Sequence, residues 1–259
     1  MHLILTGATG LVGSSVLDAM IANKEVNKIS ILTRRPVKMA DDRNDPRVQV
    51  ILHQDFTTYD AALLDKLRGA DACVWALGIS QTKVNAEDYV KITKDYALAA
   101  ADAFSTLSPT SSLPTSQQRP FRFIYVSGEG ATHSPGRFSA IFARTKGDTE
   151  RALANTAERK PQLLRADCVR PAYVDSSKHE AIRAYIPNAG LLYNTAELAF
   201  GPAIRVGYRS MHSPTEMLGA FMTQLAMGKL DTKLDGPGCF RLGPSWIVGN
   251  IGFRRIMGL

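Results

Sequence analysis

Near the start of the chain, Gly7-Ala8-Thr9-Gly10-Leu11-Val12-Gly13 has the composition and spacing to hold a phosphate. It follows a short apolar run, His2 to Leu5, closed by Thr6. It precedes Leu11 to Ala22, whose apolar residues recur at helical spacing. Between a strand and a helix each glycine has its own use. Gly7 permits the tight turn, Gly10 lets backbone approach a pyrophosphate, and Gly13 lets helix and strand pack closely. The helix N-terminus adds open N–H groups and a positive dipole. The cofactor contacts expected here are Thr6, Gly7, Thr9, Gly10, Leu11, Val12 and Gly13.

A second strand, Lys28 to Thr33, ends in Arg34-Arg35. Dinucleotide sites that take NAD carry an acidic residue there for the adenosine ribose. Two guanidinium groups suit a dianionic 2′-phosphate instead, through bidentate, charge-assisted bonds, so the expected cofactor is NADP. Asp55-Phe56, after a third strand (Arg47 to Leu52), offers a carboxylate and a ring near an adenine. Leu77-Gly78, after a fourth (Asp71 to Leu77), brings backbone close to the cofactor. The plainer reading, a glycine turn and a solvated basic turn, needs no ligand.

The elements that must position these residues follow in order. Ala61 to Leu67 and the alanine-rich Asn85 to Phe104 read as helices, and Ser108 to Pro120 as a solvated polar loop. Phe121 to Val126 is a fifth strand, Ser139 to Ala157 a helix and Gln162 to Val169 a sixth strand. Strands alternating with helices predict an α/β fold, a doubly wound parallel sheet with helices on both faces, the Rossmann arrangement. One domain spanning 1–259 is expected, with the core at about 1–170 and a smaller, less regular substrate lobe at about 171–259. Helices are predicted for Leu191 to Phe200 and for Pro214 to Met227, the latter capped by Ser213. Trp246 to Leu259 is expected to pack on the core, or to touch a membrane surface. Tyr173, Tyr185, Leu191, Leu192 and Tyr193 form the expected lid over a small apolar substrate.

The net charge of +7 fits an anionic ligand. The basic residues are scattered without a run of five or six, which speaks against nucleic acid. Cys73, Cys168 and Cys239 are far apart and odd in number, and His53, His179 and His212 have no ligand spacing, so neither disulfides nor a metal is expected. No apolar stretch reaches membrane-spanning length and the N-terminus reads as a strand, so a cytoplasmic protein is expected. A homodimer is compatible with this.

These features, in this order, resemble the short-chain dehydrogenase/reductase superfamily, and its atypical branch with the Tat-interacting-protein-like reductases. Further carrying residues are Ala86-Glu87-Asp88-Tyr89-Val90 with Lys94-Asp95-Tyr96, then Tyr125-Val126-Ser127, Lys146-Gly147-Asp148-Thr149-Glu150 and Val169-Arg170-Pro171-Ala172-Tyr173. The resemblance covers residues 1 to about 230. It implies that Ser127 bonds a substrate carbonyl, that Lys146 holds the nicotinamide ribose, and that Pro171 and Tyr173 border the cofactor. The tyrosine that donates a proton in the family lies four residues before the lysine, and here that position is Phe142, which has no proton to give. His133, Tyr173 and Glu129 are the alternative donors. Three functions follow: an NADP-dependent oxidoreductase on a small apolar carbonyl, imine or enone; a non-redox isomerase or cyclase; or an NADP(H) sensor or scaffold without turnover.

Overall fold

A computed structural model describes residues 1–107, 119–186 and 207–259. The first half alternates strictly. Strand β1 (His2–Thr6) leads into α1 (Leu11–Ala22), then β2 (Lys28–Thr33), α2 (Lys38–Arg43), β3 (Val48–Leu52), α3 (Ala61–Leu67) and β4 (Ala72–Trp75). All residues of β1 and β4 are buried, as befits parallel strands covered on both faces. A helical run follows, α4 (Ala86–Val90), a π-helical turn (Lys91–Asp95) and α5 (Tyr96–Phe104), and then β5 (Phe121–Val126), α6 (Ile141–Arg159) and β6 (Leu164–Arg170).

The remainder holds a short parallel pair, β7 (Tyr173–Asp175) with β8 (His212–Pro214), then α7 (Thr215–Ala226), β9 (Cys239–Leu242), β10 (Ser245–Gly249) and α8 (Asn250–Met257). The eight strands of the main sheet run β3-β2-β1-β4-β5-β6-β10-β9. All pairs are parallel except β10 with β9. Alternation along β1 feeds two cores. Leu3 and Leu5 face Leu17 and Phe221 under α1 and α7, while Ile4 faces Trp75, Phe104 and Phe123 on the other side. The crossing of α1 and α7 is close because Gly219 has no side chain; a Cβ there would lie 2.2 Å from the Ser15 carbonyl oxygen.

The doubly wound sheet is as the sequence predicts, and beside it stands the small β7–β8 sheet with short 3₁₀ turns. Two expectations are corrected. The sheet is not complete at residue 170, because β10 pairs with β6 and carries β9 at the edge. Ser213 does not cap α7: Pro214 holds that position, and the Ser213 hydroxyl donates to Asn250 Oδ1 at 2.6 Å while accepting from Ala172 N. As expected, the Trp246–Leu259 segment packs on the core, as a strand followed by a helix. Tyr185 packs against the core, its ring 5.9 Å from Lys38 Nζ. The expected helix at Leu191 to Phe200, the lid residues Leu191, Leu192 and Tyr193, and nearly all of the polar loop from Ser108 lie outside the described residues. Among the described residues no helix is long and apolar enough to cross a membrane.

Candidate functional site

The carboxyl ends of β1, β2 and β4 open onto a cleft of about 560 Å³, the place where α/β sheets of this kind bind ligands. Gly7, Thr9 and Gly10 line it from the first turn, Leu32, Thr33, Arg34 and Arg35 from the second strand, and Phe56 from the third. Ala76, Leu77, Gly78, Ile79, Ser80 and Lys83 line it after β4. Among the described residues the lining holds three cations and no carboxylate.

Gly7 and Gly13 serve the turn and the packing as expected. Gly7 has φ +71°, and a Cβ there would lie 2.3 Å from the Ala76 carbonyl oxygen, so both conformation and space demand glycine. At Gly13 a Cβ would meet the Gly7 carbonyl oxygen at 2.0 Å, which seats α1 directly on the turn. At Gly10 a Cβ would lie 3.3 Å from the Gly7 carbonyl oxygen, a tight contact but far less severe than at Gly7 or Gly13. The cap of α1 is Gly10, with no side-chain hydrogen bond, leaving the helix N-terminus to the cleft. Thr9 Oγ1 accepts from Arg35 Nε and Nη2 at 3.3 and 2.9 Å, joining the glycine turn to the basic turn. Arg34 and Arg35 are otherwise exposed.

Several sequence-predicted residues fall outside the lining. Thr6 is fully buried, and its hydroxyl accepts from Leu77 N at 3.2 Å, pinning the turn after β4. Leu11 and Val12 pack half-buried on the core. Asp55 folds back on its own loop, accepting from Thr57 N at 2.9 Å and Thr57 Oγ1 at 2.6 Å. Those bonds hold its carboxyl below the usual range. Pro171 offers its carbonyl to Glu129 N, and Tyr173 stands in β7.

A second group of residues sits at the ends of β5 and β6. Ser127 is 6% exposed, its N–H donates to Val169 O at 2.8 Å, and its buried Oγ has no hydrogen-bond partner among the described residues. Lys146 is buried on α6, donating to Val126 O at 2.7 Å with its ammonium 4.7 Å from the centre of the Tyr125 ring. Burial pushes its pKa down to about 8, against an opposing pull from Glu150. Gly147 is what brings α6 this close, since a Cβ there would lie 1.9 Å from the Thr132 carbonyl oxygen. The ring of Phe142 fills the remaining space: a Cβ on Gly128 would lie 2.7 Å from its Cζ.

Two of the alternative donors, His133 and Glu129, are engaged elsewhere. His133 Nε2 lies 2.6 Å from Glu150 Oε2, and Arg151 donates to the His133 carbonyl. Fully buried Glu150 also accepts from Arg170 Nε and Nη2 at 2.8 and 2.5 Å. Glu129 Oε2 accepts from Asn250 N at 3.1 Å, at the start of α8. Sequence reasoning missed this cluster, as it missed Lys83, whose signal was the polar turn Ser80-Gln81-Thr82-Lys83 that begins two residues after Gly78.

The fold is that of solved short-chain dehydrogenase/reductases. The yeast protein YIR035C, a short-chain dehydrogenase/reductase from Saccharomyces cerevisiae, superposes with TM-score 0.63 at 13% identity over 96% of both chains. BdcA, solved in complex with NADPH, superposes with TM-score 0.60 at 15% identity, over 96% of this chain and 93% of BdcA. No family model matches the chain. Relatives by sequence are nearer. Botcinic acid biosynthesis cluster B protein 16 of Botryotinia fuckeliana (strain B05.10) is 44% identical over 163 residues, which are 63% of this chain and 99% of that protein. Leucinostatins biosynthesis cluster protein T of Purpureocillium lilacinum is 30% identical over 250 residues, 88% of this chain and 85% of its own. The chain belongs to the family of these two fungal biosynthesis-cluster proteins.

Proposed function

We propose that the chain binds NADP(H) in the cleft and is an oxidoreductase acting on a small apolar carbonyl, imine or enone in small-molecule biosynthesis. The observation that carries this is the cleft itself. Its glycine cradle admits phosphate, Arg34 and Arg35 offer cations where a ribose-binding acid would stand, and no carboxylate lines it. When bound, the nicotinamide supplies hydride. Ser127 fits a carbonyl-polarising role because its buried hydroxyl has a hydrogen bond to give. Lys146 stiffens the strand end beside Ser127 through Val126. The two relatives, both biosynthesis-cluster proteins by name, support a biosynthetic setting.

Phe142 favours a second reading, cofactor binding without redox turnover. Its ring occupies the family's donor position and packs on Gly128. Calorimetric titration with NADPH, alongside NADPH oxidation against a panel of ketones, aldehydes, imines and enones, separates the two. Binding with turnover is expected. Tight binding with no turnover across the panel selects the sensor reading, and no binding overturns both.

A further inference from the structure

Strand order places β1 between β2 and β4, so the residues that follow β2 and those that follow β4 flank the glycine turn from opposite sides. Arg34 and Arg35 occupy the first side. On the other, Lys83 lines the same cleft, exposed and with no carboxylate paired to it among the described residues.

The segment carrying Lys83 is fixed at both ends and in the middle. Leu77 N donates to Thr6 Oγ1 at its start, and Asn85 caps α4 at its end, its Oδ1 accepting from Asp88 N at 2.8 Å. Between them Lys83 N donates to Ser80 O at 3.0 Å, and Ser80 and Thr82 share a hydroxyl hydrogen bond of 2.8 Å. A lone lysine on such a turn is ordinarily a solvated charge. Here a constrained backbone presents it to a cleft whose floor is a helix N-terminus and whose opposite wall is already cationic. A compact ammonium in that position acts as a point charge on a phosphate, without the bidentate geometry of arginine.

We infer that Lys83 is a ligand-binding residue that contacts the pyrophosphate of the bound dinucleotide, from the side opposite Arg34 and Arg35. This rests on the reading of the cleft as an NADP(H) site. The division of labour has a sharp consequence. The pyrophosphate is common to NADPH and NADH, whereas the 2′-phosphate is not, so Lys83 raises affinity without selecting between them.

The test is calorimetric titration of NADPH and NADH into wild type and Lys83→Met, which keeps the aliphatic stem and removes the charge. Circular dichroism checks that both proteins are folded, as expected for an exposed position. Kd is expected to rise about tenfold for both cofactors, with the difference shrinking in high salt. Unchanged affinity for both overturns the inference. A loss confined to NADPH also overturns it, and moves Lys83 to the 2′-phosphate. If wild type binds neither cofactor, the reading of the cleft falls first and the inference with it.

Discussion

The open cleft over β1, β2 and β4 and the packed corner at the ends of β5 and β6 solve opposite problems on one sheet. In the cleft, cations face open space and glycines keep side chains out. In the corner, Lys146 has a carbonyl for a partner, Glu150 is paired twice over, and Phe142 fills the gap against Gly128. The first arrangement lowers the cost of taking in a polyanion. The second is stable without any ligand, apart from the hydroxyl of Ser127. On the proposed reading, binding belongs to the cleft and chemistry to the corner, and variants should move one without the other.

The largest effects are expected at two glycines of one turn. Gly13→Val forces a side chain onto the Gly7 carbonyl and should destabilise the fold by about 3 kcal/mol or more. Gly10→Val brings a Cβ to 3.3 Å from the Gly7 carbonyl oxygen, a tight contact but far milder than at Gly13, and its side chain would stand where a phosphate must approach, so NADPH affinity should fall at least 100-fold with a much smaller loss of melting temperature than Gly13→Val shows. Thermal melts and titrations on the same samples decide it. Equal behaviour of the two variants would erase the distinction between a turn built for packing and one built for a ligand.

Lys146 probes the corner. Its folded pKa of about 8 lies below the unfolded value of 10.5, so between those values the unfolded chain holds the extra proton. Wild-type stability should rise as pH climbs from about 8 to 10.5, by about 3 kcal/mol if the whole shift is expressed. Lys146→Met should lack that rise. Chemical denaturation across the pH range is the measurement, and a parallel rise in the variant would assign it to another group.

Smaller is the expected loss of preference in the Arg34→Ala, Arg35→Ala double variant. NADPH should bind at least tenfold tighter than NADH to wild type, about 1.4 kcal/mol, and equally with it to the variant. The smallest gain is expected from Phe142→Tyr. A positioned general acid is typically worth 10²–10⁴-fold, but the ring tip that would bear the hydroxyl already lies against Gly128. Ketone reduction should improve by no more than about tenfold, short of that range, with a lowered melting temperature. A full-sized gain would show that the corner is less tightly filled than its geometry implies.

Much of this contrast was legible beforehand, for physical reasons. Helices α1 and α3 and strands β2 and β5 fall where periodicity puts them, because each has one buried face or is buried throughout. The glycine turn was legible because its demands are local. What escaped was short or non-local. Helix α2 spans six residues and buries just Met39 and Ala40. The π turn shifts a hydrogen bond, freeing the Thr93 carbonyl to accept from Tyr125 at 3.0 Å, and leaves no apolar period to read. Ser213 is a good capping residue in a good place, yet its hydroxyl serves Asn250. Asp55 had the right type and neighbourhood, but a two-residue turn claims its carboxylate. The Glu150 cluster gathers residues 17 and 20 positions away, a spacing no motif encodes.

The parallel pairing of β10 with β6 also dictates when the molecule can finish folding. Trp246 N donates at 2.8 Å to Asp167 Oδ1, a fully buried carboxylate, across 79 residues of chain. Until that late segment arrives, β6 is a bare edge with Asp167 held by Arg165 alone, open to pairing with another strand. Strands β1 to β6 can assemble while synthesis continues, yet their outer margin waits for residues Ser245–Gly249. A nascent chain stalled before Ser245 is thus the sticky form of this protein, and a fusion that delays docking of β10 prolongs that interval more than one at the amino terminus.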